Sequence, residues 1–418
     1  MNFKRITTTL MLIAFCTIPA LINAQDSGFI YGTVTTIDDK TYTGAIRWGK
    51  EEVFWTDMFN ASKEDNENLR YLSREERDDL DNKRYKSHNS YVERGIVKWV
   101  NSSWNNSKYE HTHEFSVQFG EIKKLEITGR SRVYLTLQNG QRIEVKGEGY
   151  NDIGSSIMVL DKEIGEIKLN WSKIDAIEFL NTPNNLNEKF GEPLYGTVQT
   201  YNGTYEGYVQ WDHDERVGTD KLDGDTSDGD VSISFDKIKS IENEGNRSTV
   251  VLNSGREMTL RGSNDVNSEN RGIIVTSKKY GRVDIPWKEF RRVTFSDAKE
   301  KLPSYSDFKD SKKIRGSVKT VDGKTISGTI VYDLDEEYTM EVLQGKEEDI
   351  EYIIPFGKIV SVSPKNYDYS TVKLVDGTTL TLGESQDVSD KNSGLLVFEG
   401  SNDPVYIPWE KIEIVNFN

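Results

Sequence analysis

At 418 residues, with 69 acidic against 53 basic side chains, the chain carries a formal charge of −16 and a single cysteine. That balance excludes a phosphate-backbone or anionic-lipid binder unless charge is strongly segregated, and no long basic cluster occurs. One thiol excludes a disulfide framework or a thiolate metal site.

Residues 1–24 read as a secretory signal peptide. Lys4 and Arg5 precede an apolar run from Leu10 to Leu21, and Ile22-Asn23-Ala24 closes it on a small residue. The run is too short for a stable span, and no later stretch approaches the roughly 20 apolar residues a spanning helix needs. The expectation is an exported chain, periplasmic, outer-surface or secreted, with no transmembrane segment. Cys16 lies inside the run after Phe15, a poor setting for lipid attachment, so removal of 1–24 leaves no thiol. Frequent Lys, Asn and Ile with rare Pro also fit an exported bacterial protein.

Downstream, the sequence repeats itself. Tyr31-Gly32-Thr33-Val34, Tyr195-Gly196-Thr197-Val198 and Arg315-Gly316-Ser317-Val318 open three corresponding segments. Each passes a turn, at Asp38-Asp39-Lys40, Asn202-Gly203-Thr204 or Asp322-Gly323-Lys324. Each then reaches Gly44, Gly207 or Gly328, and an aromatic residue follows four positions on: Trp48, Trp211, Tyr332. Alternation around an Asx-Gly turn predicts a β-hairpin.

Each copy divides into two halves that end on one pattern, aliphatic-x-aromatic-x-x-apolar-x-x-aliphatic. First halves give Val117, Phe119, Ile122, Leu125; Ile233, Phe235, Ile238, Ile241; and Ile354, Phe356, Ile359, Val362. Second halves give Leu169, Trp171, Ile174, Ile177; Ile285, Trp287, Phe290, Val293; and Ile407, Trp409, Ile412, Val415. Spacing that changes from two to three predicts a strand, a single helical turn at the aromatic residue, then another strand, all four side chains facing inward. Phe in first halves and Trp in second halves predict two alternating cores. Second halves add a hairpin with Gly140, Gly255 or Gly377, then Asn151-Asp152-Ile153, Asn264-Asp265-Val266 or Gln386-Asp387-Val388, where the Asp is expected to close its own local turn.

Polar, Pro-containing stretches from Asn181 to Pro193 and from Asp297 to Lys313 read as linkers, with cuts near 187 and 305. The chain therefore divides into the signal peptide at 1–24, a first repeat at 25–181, a second at 193–297 and a third at 313–418. The first repeat holds an insertion at about 51–113, in which Ser73-Arg74-Glu75-Glu76 fits a helix-capping box.

The predicted class is all-β: three tandem repeats, each of two half-units. With an early Gly-bearing hairpin and one helical turn before the last strand, Gly316 to Tyr332 and Ile354 to Val362, with their counterparts, make the half-units resemble SH3-like and Sm-like small β-barrels. The resemblance covers most of the chain outside insertion and linkers and implies small barrels. It does not extend to the RNA binding common among Sm-like proteins, which negative charge and an export signal oppose. A six-bladed propeller is the alternative architecture, and the helical turns argue against it. An outer-membrane barrel ending at Phe417 would need lipid-facing alternation over about ten residues per strand, which this charged chain lacks.

Motifs for chemistry fail on spacing. Gly323-Lys324-Thr325 mimics the end of a phosphate loop, but Val318 stands where a glycine is required. No Gly-x-Ser-x-Gly elbow occurs, and Ser234-x-x-Lys237 lies inside the core pattern. His88, His111 and His113 cluster in or beside the insertion; His111 and His113, two apart on a strand, would share a face and could ligate a metal with Glu114. Asp223-Gly224-Asp225-Thr226-Ser227-Asp228-Gly229-Asp230 offers carboxylates to calcium, yet the helix-loop-helix register puts Asp228 at the glycine position and Ser234 at the twelfth. No catalytic, cofactor-binding or metal residue is assigned. The expected function is a non-enzymatic repeat scaffold binding a protein or glycan partner in the cell envelope, with no nucleic acid and no cofactor. The alternative is a hydrolase using carboxylates, histidines and Trp55, Tyr85, Trp99 and Trp104 of the insertion.

Overall fold

The computed structural model describes residues 26–63, 66–80, 113–147, 152–400 and 403–418. The chain is all-β, built of antiparallel sheets, and one order of pairing recurs in three successive segments. In the first segment the sheet runs His113–Gln118, Met58–Lys63, Arg142–Lys146, Arg132–Leu137, Ile122–Ile127, Ile174–Phe179, Tyr31–Thr36, Thr41–Trp48, Ile157–Asp161, Gly165–Leu169. The halves are not consecutive stretches: strands 58–63 to 142–146, including the Gly140 hairpin expected in the second half, form one unit that lies in sequence between Thr41–Trp48 and Ile157–Asp161, strands of the other unit, to which the opening hairpin belongs.

The sheets are not closed barrels, which corrects the small barrels implied by the resemblance. At the centre of the first segment, Ile177 pairs opposite Leu125, so the last strand of one half continues the ladder into the other instead of closing on its own half. Ile241 opposite Val293 and Val362 opposite Val415 repeat that junction.

The terminal pattern is inward-facing, with every member buried except half-buried Ile233. A 3-10 turn stands at the aromatic residue in Phe119–Glu121, Trp171–Lys173, Phe235–Lys237, Phe356–Lys358 and Trp409–Lys411. The second spacing of three has another cause. A β-bulge follows each turn, between Ile122 and Lys124 and at the matching place in the other five halves, so one residue is skipped and the next apolar side chain still points inward.

Nor do the two halves keep separate cores. Trp48 packs against both Phe119, at 5.2 Å between ring centroids, and Trp171, at 5.8 Å. Trp211 joins Phe235 to Trp287, and Tyr332 joins Phe356 to Trp409. The aromatic residue four positions after the repeated glycine is thus a shared hub. That glycine is required by close approach: Gly44, Gly207 and Gly328 lie opposite Gly32, Gly196 and Gly316, and a Cβ on any of the first three would strike the carbonyl of Leu160, Thr276 or Phe398 on the next strand.

The second expected linker is packed. Leu302, Tyr305 and Phe308 are buried; Tyr305 OH donates to the Ile122 carbonyl at 2.9 Å, and Phe308 covers Gly120, so residues 297–313 clasp the first segment. The insertion is shorter than expected. Strand Met58–Lys63 answers Lys221–Thr226 and Val342–Glu347, which leaves residues 64–112 as the extra chain. Its described part, 66–80, lies on the third segment: Asn66 and Asn68 donate to the Leu334 carbonyl, and Leu72 and Leu80 pack with Val331, Leu334 and Leu396. The capping box is formed, Ser73 N–H to Glu76 Oε2 at 2.7 Å and Glu76 N–H to Ser73 Oγ at 3.3 Å, and a helix follows over 74–80. No described helix is long and apolar enough to cross a membrane.

Candidate functional site

The densest recurring polar constellation surrounds the loop after the aromatic hub. Trp48 N–H donates to the Glu52 carbonyl, Trp211 N–H to that of Glu215 and Tyr332 N–H to that of Glu336, all at 2.8 Å. Left-handed backbone at Gly49, at Asp212 and His213, and at Asp333 and Leu334 turns each loop. A carboxylate then closes it. Asp57 accepts from the amides of Val53 and Phe54, Asp220 from those of Arg216 and Val217, and Glu341 from those of Glu337 and Tyr338.

The recurring Asp completes the unit from about a hundred residues away in the first segment and about fifty in the others. Its carbonyl accepts from the hub: Trp48 Nε1 to Asp152 at 2.8 Å, Trp211 Nε1 to Asp265 at 3.0 Å, Tyr332 OH to Asp387 at 2.7 Å. Its carboxylate caps the next strand, accepting from the amides of Asn60, Asp223 and Gln344. Capping of a remote strand is therefore its role.

A glutamate that sequence reasoning missed sits beneath each loop. Burial first, and then the Asp152 carboxylate, hold Glu52 well above the ordinary carboxylate range. Burial and then Asp265 push Glu215 up to about 9, and burial and then Asp387 hold Glu336 well above its ordinary value. Burial also raises Asp152 to about 7 and Asp265 to about 6. Each loop therefore holds a buried glutamate, its pKa raised chiefly by burial, beside an aspartate. The signal was readable, since each glutamate follows its hub aromatic by four residues.

These loops join the segments. Arg47 reaches Asp220 with both nitrogens, at 2.7 and 3.1 Å, and Arg216 returns to Asp57 at 2.9 and 3.2 Å. Asp57 and Asp220 hold equivalent positions, so the exchange is reciprocal. Arg216 is 1% exposed and lies over the Phe54 ring. Lys63 meets Asp335 at 3.3 Å and Glu341 at 3.6 Å; burial works to lower its pKa, yet these carboxylates and Glu336 raise it. Glu52 is 6% and Asp152 2% exposed, so the first pair of acids is buried.

Of the residues singled out from sequence, Trp55 is wholly buried, with Nε1 bonded to Thr182 Oγ1. His113 and Glu114 lie on the strand His113–Gln118, while His88, His111, Tyr85, Trp99 and Trp104 fall outside the described residues. Asp223, Asp225, Asp228 and Asp230 are exposed along a hairpin, where three of them border a groove of about 290 Å³ with Gly262 and Ser263. Among the described residues, no three His, Cys, Asp or Glu side chains are grouped to hold a metal ion.

A second recurrence lies on the surface. Ile37, Tyr201 and Val321 take the same place in the first hairpin turn of each segment and are 55%, 65% and 64% exposed. Ile37 N–H donates to the Lys173 carbonyl and Val321 N–H to that of Lys411, so these two tips are seated on the 3-10 turn of the second half. Comparison with protein-family models, curated proteins and solved structures finds no match to this chain.

Proposed function

We propose that the chain is an exported, non-enzymatic scaffold that binds a protein or glycan partner in the cell envelope. The observation that carries this reading is the threefold recurrence of an exposed apolar side chain, Ile37, Tyr201 and Val321, at one hairpin position. An isolated exposed apolar residue is ordinary, but one repeated at the same backbone place in three segments is a repeated contact spot. The other recurring side chains support it from the opposite direction, since the glycines, hub aromatics, acids and core residues are used by the fold itself. Equivalent spots on one chain engage a repetitive partner with an avidity that a single spot lacks.

The test is a panel of envelope glycans, peptides and ester substrates incubated with the purified chain, read for both binding and turnover. Binding without turnover is expected. Turnover of any member would replace this reading with the hydrolase whose site lies in the insertion.

A further inference from the structure

The second and third segments are joined by main-chain pairing. Gly281–Ile285 runs antiparallel to Ile350–Pro355, with Arg282 opposite Ile353, Val283 opposite Tyr352 and Asp284 opposite Glu351. Tyr280 packs edge-on against Tyr352 at 5.6 Å, and the hydroxyls of Tyr205 and Tyr352 meet at 2.8 Å. The equivalent strands of the first and second segments are Gly165–Leu169 and Gly229–Ser234. No described strand pairs with the outer edge of either. Both edges are accessible: Glu166, Lys168, Asp230 and Ser232 are exposed, and Ile164, at the position of Tyr280, is 59% exposed.

We propose that a second copy of this chain completes the seam, its 229–234 strand adding to the 165–169 edge in the register of the internal junction. That register sets Ile167 opposite Val231, Glu166 opposite Ser232 and Lys168 opposite Asp230. Where the internal seam opposes Asp284 to Glu351, this one opposes unlike charges, a favourable cross-strand pair. Ile164 then lies beside Val231 as Tyr280 lies beside Tyr352, and two open edges are covered by addition of a strand. Within one molecule the first two segments are held through their loops, by Arg47 with Asp220 and Arg216 with Asp57, and in that arrangement the two edges do not meet.

Sedimentation velocity across a concentration series tests the pairing, with Lys168→Glu and Asp230→Lys as probes at exposed positions and melting curves to verify their fold. The wild type is expected to associate as concentration rises, and each reversal to weaken association by about tenfold. An equimolar mixture of the two variants restores it, because the carboxylate introduced in one then faces the ammonium introduced in the other, while the native Lys168 and Asp230 that remain still face each other. A wild type that stays monomeric throughout overturns the proposal, as does association that the single reversals leave unchanged.

Discussion

Glu121 offers a clean perturbation, because burial alone moves it. Its counterparts in the other segments are Lys237 and Lys358, but in the first segment Tyr305 and Phe308 of the 297–313 clasp lie over this turn. Glu121 is left 6% exposed, with no hydrogen-bond partner at Oε2 among the described residues, and is pushed up to about 8. A carboxyl whose folded value exceeds its unfolded value favours folding while protonated. Its contribution is whole below about 4.5, declines as pH rises and is lost above about 8. The full difference amounts to about 4 to 5 kcal/mol. Glu121→Gln removes the titration and leaves shape nearly unchanged, so the variant loses less stability than wild type between pH 5 and pH 9. Urea unfolding followed by tryptophan fluorescence at several pH values measures the difference in slope, which is insensitive to any constant cost of the amide. Identical slopes for the two proteins would refute the burial of Glu121 beneath the clasp.

Arg216→Ala leaves Asp57 buried without its cation and is expected to destabilise by about 3 to 5 kcal/mol, measured as a lowered urea midpoint. Gly328→Ala drives a Cβ into the Phe398 carbonyl and costs about 1 to 3 kcal/mol. Gly377→Ala meets no neighbour, but its φ of +88° costs about 1 to 2 kcal/mol, and both variants are ranked by thermal melting. Excess calcium is expected to leave the melting temperature where a chelator leaves it, because, although Asp225 lies opposite Asp230 on the hairpin, no three carboxylates among the described residues are grouped to hold a metal ion.

The strand, turn and core pattern was legible because burial dictates it locally: Phe119, Trp171 and their counterparts announce a turn by spacing alone, a 3-10 turn at every position but Trp287. The bulge after each turn was not, since a skipped residue in a strand and a helical turn give the same spacing of three. Nor was the shared core, for Trp48 meets both Phe119 and Trp171 only once one half is threaded through the other. Arg216 and Asp57 lie far apart in sequence and carry no local signal of their meeting. Pro and polar content disguise residues 297–313 as a linker, although Leu302, Tyr305 and Phe308, each three apart, mark a single apolar face. Glu52, Glu215 and Glu336 were readable by spacing but hidden among many other acids.

Binding through the recurring tips is tested most directly by the triple variant Ile37→Ser, Tyr201→Ser, Val321→Ser. Envelope extracts passed over immobilised wild-type and variant chains, with bound material quantified by mass spectrometry, provide the comparison. A partner retained by wild type is expected to be lost from the variant while the melting temperature is preserved. Retention of the same partner in the same amount by a correctly folded variant would contradict it.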